Sequence, residues 1–349
     1  IKKIDSIKYP HSIGLFYGTI TDFLGFKADQ DEWKVMALTS YSTKKNRYDK
    51  LFENLFNLNQ DGFELNLNYF NYYLFDRQKN FFSEKFIKDF GAPRKKNEIL
   101  TRRHYYIAGA LQRSFSKIVT HLVKILKNKD KSINNICLTG GAAMNCVYNA
   151  ELKKIQIYKN LFIPPFPDDL GVSIGACYLA NNNLNKNSKN SKIVSNYWGP
   201  NYKNNEIKKI LLNNKINFQF MNDNQLNKFI ALEISRGKLV GWFKGGMEFG
   251  QRALGNRSIL ADARNKKIKK ILNEAIKYRE GFRPFAPICL AEKAHNIFKI
   301  GKNEEFNFME KVAYVKDSWI KKIPGVVHSD NSARLQTVTK KINKNVYNL

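Results

Sequence analysis

The chain has 349 residues, a formal charge of +29, a hydrophobic fraction of 43%, 25 Phe and 17 Tyr. That length allows two domains, each with its own core, and the aromatic content excludes a disordered chain. No apolar run reaches the roughly 18 residues that cross a bilayer, so no membrane partner is expected.

The charge alone would suit a nucleic acid. The excess, however, is mostly Lys, travels with Asn and is spread along the whole chain. That is the pattern of compositional bias at tolerant surface positions, so nucleic acid is not the expected partner. Cys137, Cys146, Cys177 and Cys289 form no CxxC pair and lie in apolar or small-residue contexts. They read as small buried hydrophobes in a reducing cytoplasm.

In chain order, apolar residues at three- and four-residue spacing predict a helix over 11–26, followed by a short structured connection at 31–36. Alternation of Phe63, Leu65, Leu67 and Tyr69 predicts a strand or hairpin arm over 62–75. Ile107, Leu111, Phe115, Ile118 and Leu122 mark a long amphipathic helix over 104–128. A buried strand at 135–138, a small-residue turn at 139–143, a helix at 144–152 and a strand at 162–163 follow. A loop at 164–169 then leads to a helix at 171–179. This repeated strand–turn–helix rhythm argues for an α/β fold. The polar stretch 181–192, NNNLNKNSKNSK, is the best domain boundary. It separates a domain at 1–190 from one at 195–349. The second domain is predicted to hold helices at 204–214, 224–236 and 266–277, and strands at 218–220, 239–243, 258–262, 288–290 and 312–315.

Five segments carry chemistry. In Leu138-Thr139-Gly140-Gly141-Ala142-Ala143-Met144-Asn145, two glycines between strand and helix let backbone N–H groups approach a phosphate, and Asn145 could reach a ribose or phosphate. The same residues also suit a tight turn with no ligand. In Pro164-Pro165-Phe166-Pro167-Asp168-Asp169-Leu170-Gly171, the acidic pair suits a divalent metal or a helix cap, and Asp169 is the better ligand candidate. The segment from Gly241 to Arg264, GWFKGGMEFGQRALGNRSILADAR, interleaves glycines, Gly245 among them, with Arg252, Arg257 and Arg264. A Lys-rich chain that uses Arg here is using the planar fork that matches phosphate and carboxylate oxygens. Lys277-Tyr278-Arg279-Glu280-Gly281-Phe282-Arg283-Pro284-Phe285-Ala286-Pro287 adds three more cations. His328-Ser329-Asp330-Asn331-Ser332-Ala333-Arg334-Leu335-Gln336-Thr337-Val338 reads as a polar pocket wall. Together the last three suggest a site for a polyanion such as ATP with a second phosphate.

These five segments, in this order, resemble the carbamoyltransferase family of nodulation-factor and antibiotic biosynthesis, to which tobramycin and cephamycin carbamoyltransferases belong. Pro10-His11-Ser12-Ile13-Gly14-Leu15-Phe16-Tyr17 and Glu32-Trp33-Lys34-Val35-Met36 add to the likeness upstream. The resemblance implies the C-terminal part of an actin/Hsp70-like (RNase H-like) domain followed by a YrdC-like α/β domain. It implies that ATP and carbamoyl phosphate form a carbamoyl adenylate in the second. The first then transfers the carbamoyl group to a hydroxyl or amine of a small-molecule acceptor in the cytoplasm, assisted by iron, manganese or magnesium.

Carried over, Gly140, Gly141 and Asn145 would contact the adenylate and Asp169 would hold the metal. Arg252, Arg257, Lys277, Arg279, Arg283, Arg334 and Ser332, with Gly245 in the glycine–arginine loop, would line the activation site. The resemblance leaves a homodimer open. This sequence departs from the family in having no HxxxH pair, Gly246 where Arg is usual and Gln251 where Pro is usual. It is expected to be a fragment with an incomplete transfer site. A tRNA threonylcarbamoyl enzyme and a non-enzymatic nucleotide- or RNA-binding protein are the rival readings. The order of the modules favours a small-molecule acceptor over the first.

Overall fold

In the computed structural model the described residues are 3–185 and 193–349, and residues 186–192 of the predicted linker lie outside them. The chain is mixed α/β and divides into two compact units. Unit 1 comprises residues 1–162 with 328–330, and unit 2 comprises 163–327 with 331–349.

Unit 1 is a helical layer built on aromatic residues. Helix α1 (Ile13–Phe23) starts where the Ser12 hydroxyl accepts the Leu15 N–H at 3.3 Å, and it buries Phe16, Ile20 and Phe23 completely. The segment expected only as a connection is a helix, α2 (Glu32–Leu38), and α3 (Arg47–Phe52) follows with an Asn46–Asp49 capping box. β1 (Phe56–Asn59) and β2 (Gly62–Leu65) form an antiparallel hairpin in the register Leu58↔Phe63. The strand expected to run to residue 75 stops at Leu65. There the Asn66 side chain accepts the Asn68 N–H and starts a 3₁₀ turn, Leu67–Tyr69. α4 (Glu84–Phe90) brings Phe86 onto Phe23, with ring centroids 4.8 Å apart. Each such buried ring contributes about 2–3 kcal/mol of burial.

The long helix is α5 (Arg102–Lys129), whose buried stripe includes Ile107, Leu111, Phe115 and Ile118. Gly109 lies where any Cβ would sit 2.3 Å from the Ser42 carbonyl oxygen, which fixes how closely the chain crosses α5. β3 (Asn135–Cys137), α6 (Cys146–Ile155) and β4 (Asn160–Phe162) complete the unit, with β3 and β4 parallel.

Unit 2 begins with α7 (Leu170–Leu184), α8 (Asn204–Asn213) and α9 (Asp223–Ser235). β5 (Val240–Phe243) pairs antiparallel with β6 (Arg257–Leu260). The strand expected at 218–220 does not form, and Phe220 is exposed. Three alternating residues without a neighbouring ladder have nothing to satisfy their backbone groups as a strand. The helix expected over 266–277 is α10 (Ile268–Ile271) running into a π turn, Leu272–Ile276. Then come β7 (Ile288–Leu290), α11 (Ala291–Ile297), β8 (Ala313–Tyr314), α12 (Asp317–Ile320), β9 (Ser332–Ala333), β10 (Gln336–Val338) and α13 (Lys344–Asn348). β7 lies parallel to β10, and β8 antiparallel to β9. One core gathers Ala294, Phe298, Phe306, Ala313, Val315, Ala333 and Leu335. A second holds Leu254, Phe308 and Met309.

Two cysteines depart from expectation. Cys146 is buried, but Cys137 and Cys177 are exposed, because β3 and α7 turn those positions to the surface. Among the described residues no helix is long and apolar enough to cross a membrane.

Candidate active site

The glycine–arginine segment is the loop between β5 and β6. The ladder extends one step into it, with Lys244 N–H donating to the Asn256 carbonyl at 3.1 Å. Two glycines are there for space. A Cβ on Gly246 would lie 2.6 Å from the Tyr197 carbonyl oxygen, and one on Gly255, at φ 103°, would lie 2.8 Å from Val346. The Gly245 Cα has φ 70° and packs beside the Asn256 side chain. Arg252 donates from Nη1 to the Phe308 carbonyl at 2.9 Å. Arg257 lies 3.6 Å over the Phe243 ring and donates to the carbonyls of Asn256 and Pro200. These carbonyl contacts orient the two guanidinium groups.

Buried Asn273 folds the next motif. Its amide donates to the Gly281 and Arg283 carbonyls, and its Oδ1 accepts Arg279 Nε–H at 2.7 Å. Tyr278 holds a left-handed φ of 46°, a costly conformation for an aromatic residue. Arg279 stacks over Phe285 at 4.8 Å. Burial, with the charges of Arg283 and Arg334 nearby, pulls Arg279 down to about 10. Glu280 relieves only part of this, reaching Arg283 at 3.3 Å. Arg334 follows β9, and its Nε is buried with no hydrogen-bond partner. Ser332 is buried in β9, and Lys277 is exposed.

The three motifs meet on Leu254. Ala286 packs against its cluster, the Gln336 amide donates to its carbonyl at 2.8 Å, and Arg252 is tied to Phe308 of the same cluster. Arg283 and Arg334 thus set their charges beside half-buried Arg279, with Glu280 paired to Arg283.

In unit 1, Gly140 has φ 85°, and a Cβ at Gly140 or Gly141 would meet nothing within 4 Å, so the turn is open. Asn145 is buried. Its Oδ1 caps α6 at Tyr148 N–H (3.0 Å), and its amide exchanges hydrogen bonds with Gln112 at 3.0 and 3.2 Å. Open backbone, rather than the Asn145 amide, faces free space here.

In unit 2, Asp169 precedes α7 exposed and makes no side-chain cap, while Asp168 Oδ1 is buried without a hydrogen bond. Two carboxylates do not by themselves make a divalent-cation site. Among the described residues no group of three His, Cys, Asp or Glu side chains gathers.

Sequence reasoning missed two residues of this site. Asn273 is invisible among so many Asn. Glu248 sits inside the quoted motif, yet nothing in the sequence distinguishes an exposed Glu from one at 7% exposure.

Comparison with known proteins is specific. The carbamoyltransferase N-terminus model matches residues 2–178, and the carbamoyltransferase C-terminus model matches residues 231–349. An uncharacterized protein of Synechocystis is 37% identical, covering 98% of this chain and 59% of that protein. Nodulation protein NolNO of Sinorhizobium fredii is 32% identical, covering 99% of this chain and 49% of its own. Nodulation protein NolO of Bradyrhizobium diazoefficiens is 31% identical, covering 98% and 60%. The chain therefore spans between half and three-fifths of the length of these relatives.

Proposed function

The chain belongs to the carbamoyltransferase family, and from that premise we propose that unit 2 forms a carbamoyl adenylate for transfer to a small-molecule hydroxyl or amine. We read residues 195–349, which lie mostly in unit 2, as the YrdC-like module, and residues 1–190 as part of an actin/Hsp70-like one. In the first step water releases phosphate from carbamoyl phosphate, leaving carbamate. A carbamate oxygen then attacks the α-phosphorus of ATP, and pyrophosphate departs. In the last step the acceptor attacks the carbamoyl carbon and AMP leaves. Adenylation replaces a hopeless oxide leaving group by a phosphate. A reaction that consumes ATP belongs in the cytoplasm.

The observation that carries this reading is the cluster of Arg279, Arg283 and Arg334, in which burial and then the charges of Arg283 and Arg334 pull Arg279 down to about 10. The two reactants bring several phosphate charges, and such a cluster stabilises the charge that builds on the departing pyrophosphate. Arg252 and Arg257, oriented by carbonyls, and the exposed Lys277 extend the cationic surface. The open Gly140–Gly141 turn supports a nucleotide contact in unit 1, where backbone N–H groups would meet a phosphate. A metal at Asp169 would need ligands from beyond the described residues, and no step here is routed through one.

Pyrophosphate release by the purified chain, with no acceptor present, tests the proposal. Release should require both ATP and carbamoyl phosphate, and should fall about 10²-fold or more in Arg252→Ala and Arg334→Ala, as for other charge-stabilising groups. A folded wild-type chain that binds ATP and releases nothing would count against adenylation in this segment.

A further inference from the structure

Glu248 is a carboxylate at 7% exposure, and among the described residues it forms no ion pair. Burying such a charge costs several kcal/mol unless hydrogen bonds compensate. The compensation is local. One oxygen, Oε1, accepts the backbone N–H of Leu254 at 2.6 Å, of Asn256 at 2.9 Å and of Arg257 at 3.3 Å. Amides converging on one oxygen are the arrangement backbone offers a bound anion. Here the protein supplies the anion itself. The carbonyl side is also held: the Leu254 carbonyl accepts from Tyr197 Oη at 2.8 Å and Gln336 Nε2 at 2.8 Å, and Asn256 Nδ2 donates to the Gly246 carbonyl at 2.7 Å.

A leucine here would leave the Leu254, Asn256 and Arg257 amides without this acceptor, so the side chain is needed for its oxygen and not for its bulk. We propose that Glu248 is the positioning residue of the arginine loop. By drawing the amides of 254–257 onto its carboxylate it closes the loop from 248 to 257, ties the short span through Arg252 at both ends, and presents Arg252 to a phosphate. The proposal rests on the reading of Arg252 as part of the activation site. Glu248 touches no reactant. Its effect passes through the backbone, so what matters is an oxygen acceptor at this point more than its formal charge.

The test compares Glu248→Ala with Glu248→Gln, since the glutamine keeps an acceptor oxygen. Three readouts are taken on the full chain: pyrophosphate release, calorimetric binding of inorganic tripolyphosphate, and hydrogen exchange of peptides covering 249–257. Glu248→Ala should speed exchange in those peptides, lower kcat about 10²-fold, as a misplacement of about 1 Å does, and weaken tripolyphosphate about tenfold. Glu248→Gln should restore most of all three; it carries the test if Glu248→Ala fails to fold. A folded Glu248→Ala that turns over and binds like wild type overturns the proposal. So does a folded Glu248→Gln as impaired as the alanine variant. If wild type releases no pyrophosphate yet binds tripolyphosphate, the adenylation reading fails, and the positioning role is judged on binding and exchange alone. If wild type binds no tripolyphosphate, the proposal is overturned.

Discussion

Replacing Arg334 by Met should stabilise the ligand-free protein while destroying anion binding. Arg334 brings a charge toward Arg279 and buries an Nε with no hydrogen-bond partner. Arg279 titrates near 10, roughly two to three powers of ten below an ordinary arginine. At about 1.4 kcal/mol per power of ten the ceiling is ~3 kcal/mol, which solvent screening at a group this exposed reduces substantially. Burial is the largest cause and Arg283 the next, so the Arg334 share is below about 1 kcal/mol. Relief of the unpartnered Nε adds a similar amount, while methionine keeps most of the stem packing. The sum is at most about 2 kcal/mol, at roughly 2–4 °C per kcal/mol in the melting of a unit of this size.

The sign fits linkage. A cation whose folded value is depressed opposes folding at every pH below about 10, and the penalty is released as pH rises through that value. Scanning calorimetry with and without tripolyphosphate measures both effects. At a hundred times Kd the wild type should gain about 2.7 kcal/mol, and Arg334→Met should gain little. A variant that melts below wild type without ligand, or that keeps the full ligand-induced gain, would refute the reasoning.

Three further outcomes follow from other residues. Arg113 grips Asp49 with two hydrogen bonds, at 2.6 and 2.9 Å. Burial raises the Asp49 carboxyl, but the Arg113 and Asn46 hydrogen bonds outweigh it and leave the group below its usual range. Asp49→Asn should therefore cost about 1 kcal/mol at pH 7, and the cost should vanish as pH falls through that lowered value; urea unfolding at pH 7 and pH 3 would show a pH-independent difference if the pair is idle. Gly246→Arg should lower the urea midpoint by the equivalent of about 2 kcal/mol, because its Cβ collides with the Tyr197 carbonyl; an unchanged midpoint would mean the loop moves freely. Gly141→Ala meets no protein atom within 4 Å, so its melting temperature should stay within about 1 °C of wild type while ATP binding weakens; equal ATP affinity would leave the turn as a structural turn.

The likeness to a carbamoyltransferase was legible in the sequence, because it rests on Arg, Gly and Pro at fixed spacing in contiguous motifs. The longest helix was legible too: the stripe Ile107, Leu111, Phe115 and Ile118 can be buried only as one face of a helix, and α5 buries it, whereas the short helix α2 was legible only as a connection. Local pattern failed where a distant partner decides. The alternation at Phe218–Gln219–Phe220 found no neighbouring strand, and Asn66 turned the chain before the strand could reach residue 75. The roles within the site were tertiary as well. The sequence offered Asn145 as a nucleotide contact but could not show that its amide hydrogen-bonds Gln112, thirty-three positions away. Glu248 and Asn273 looked like any surface residue until the loop closed around one and the arginine segment around the other. A sequence lists which charges are present; only the fold decides which are desolvated, which repel and which backbone amides converge, because those energies depend on distances through space.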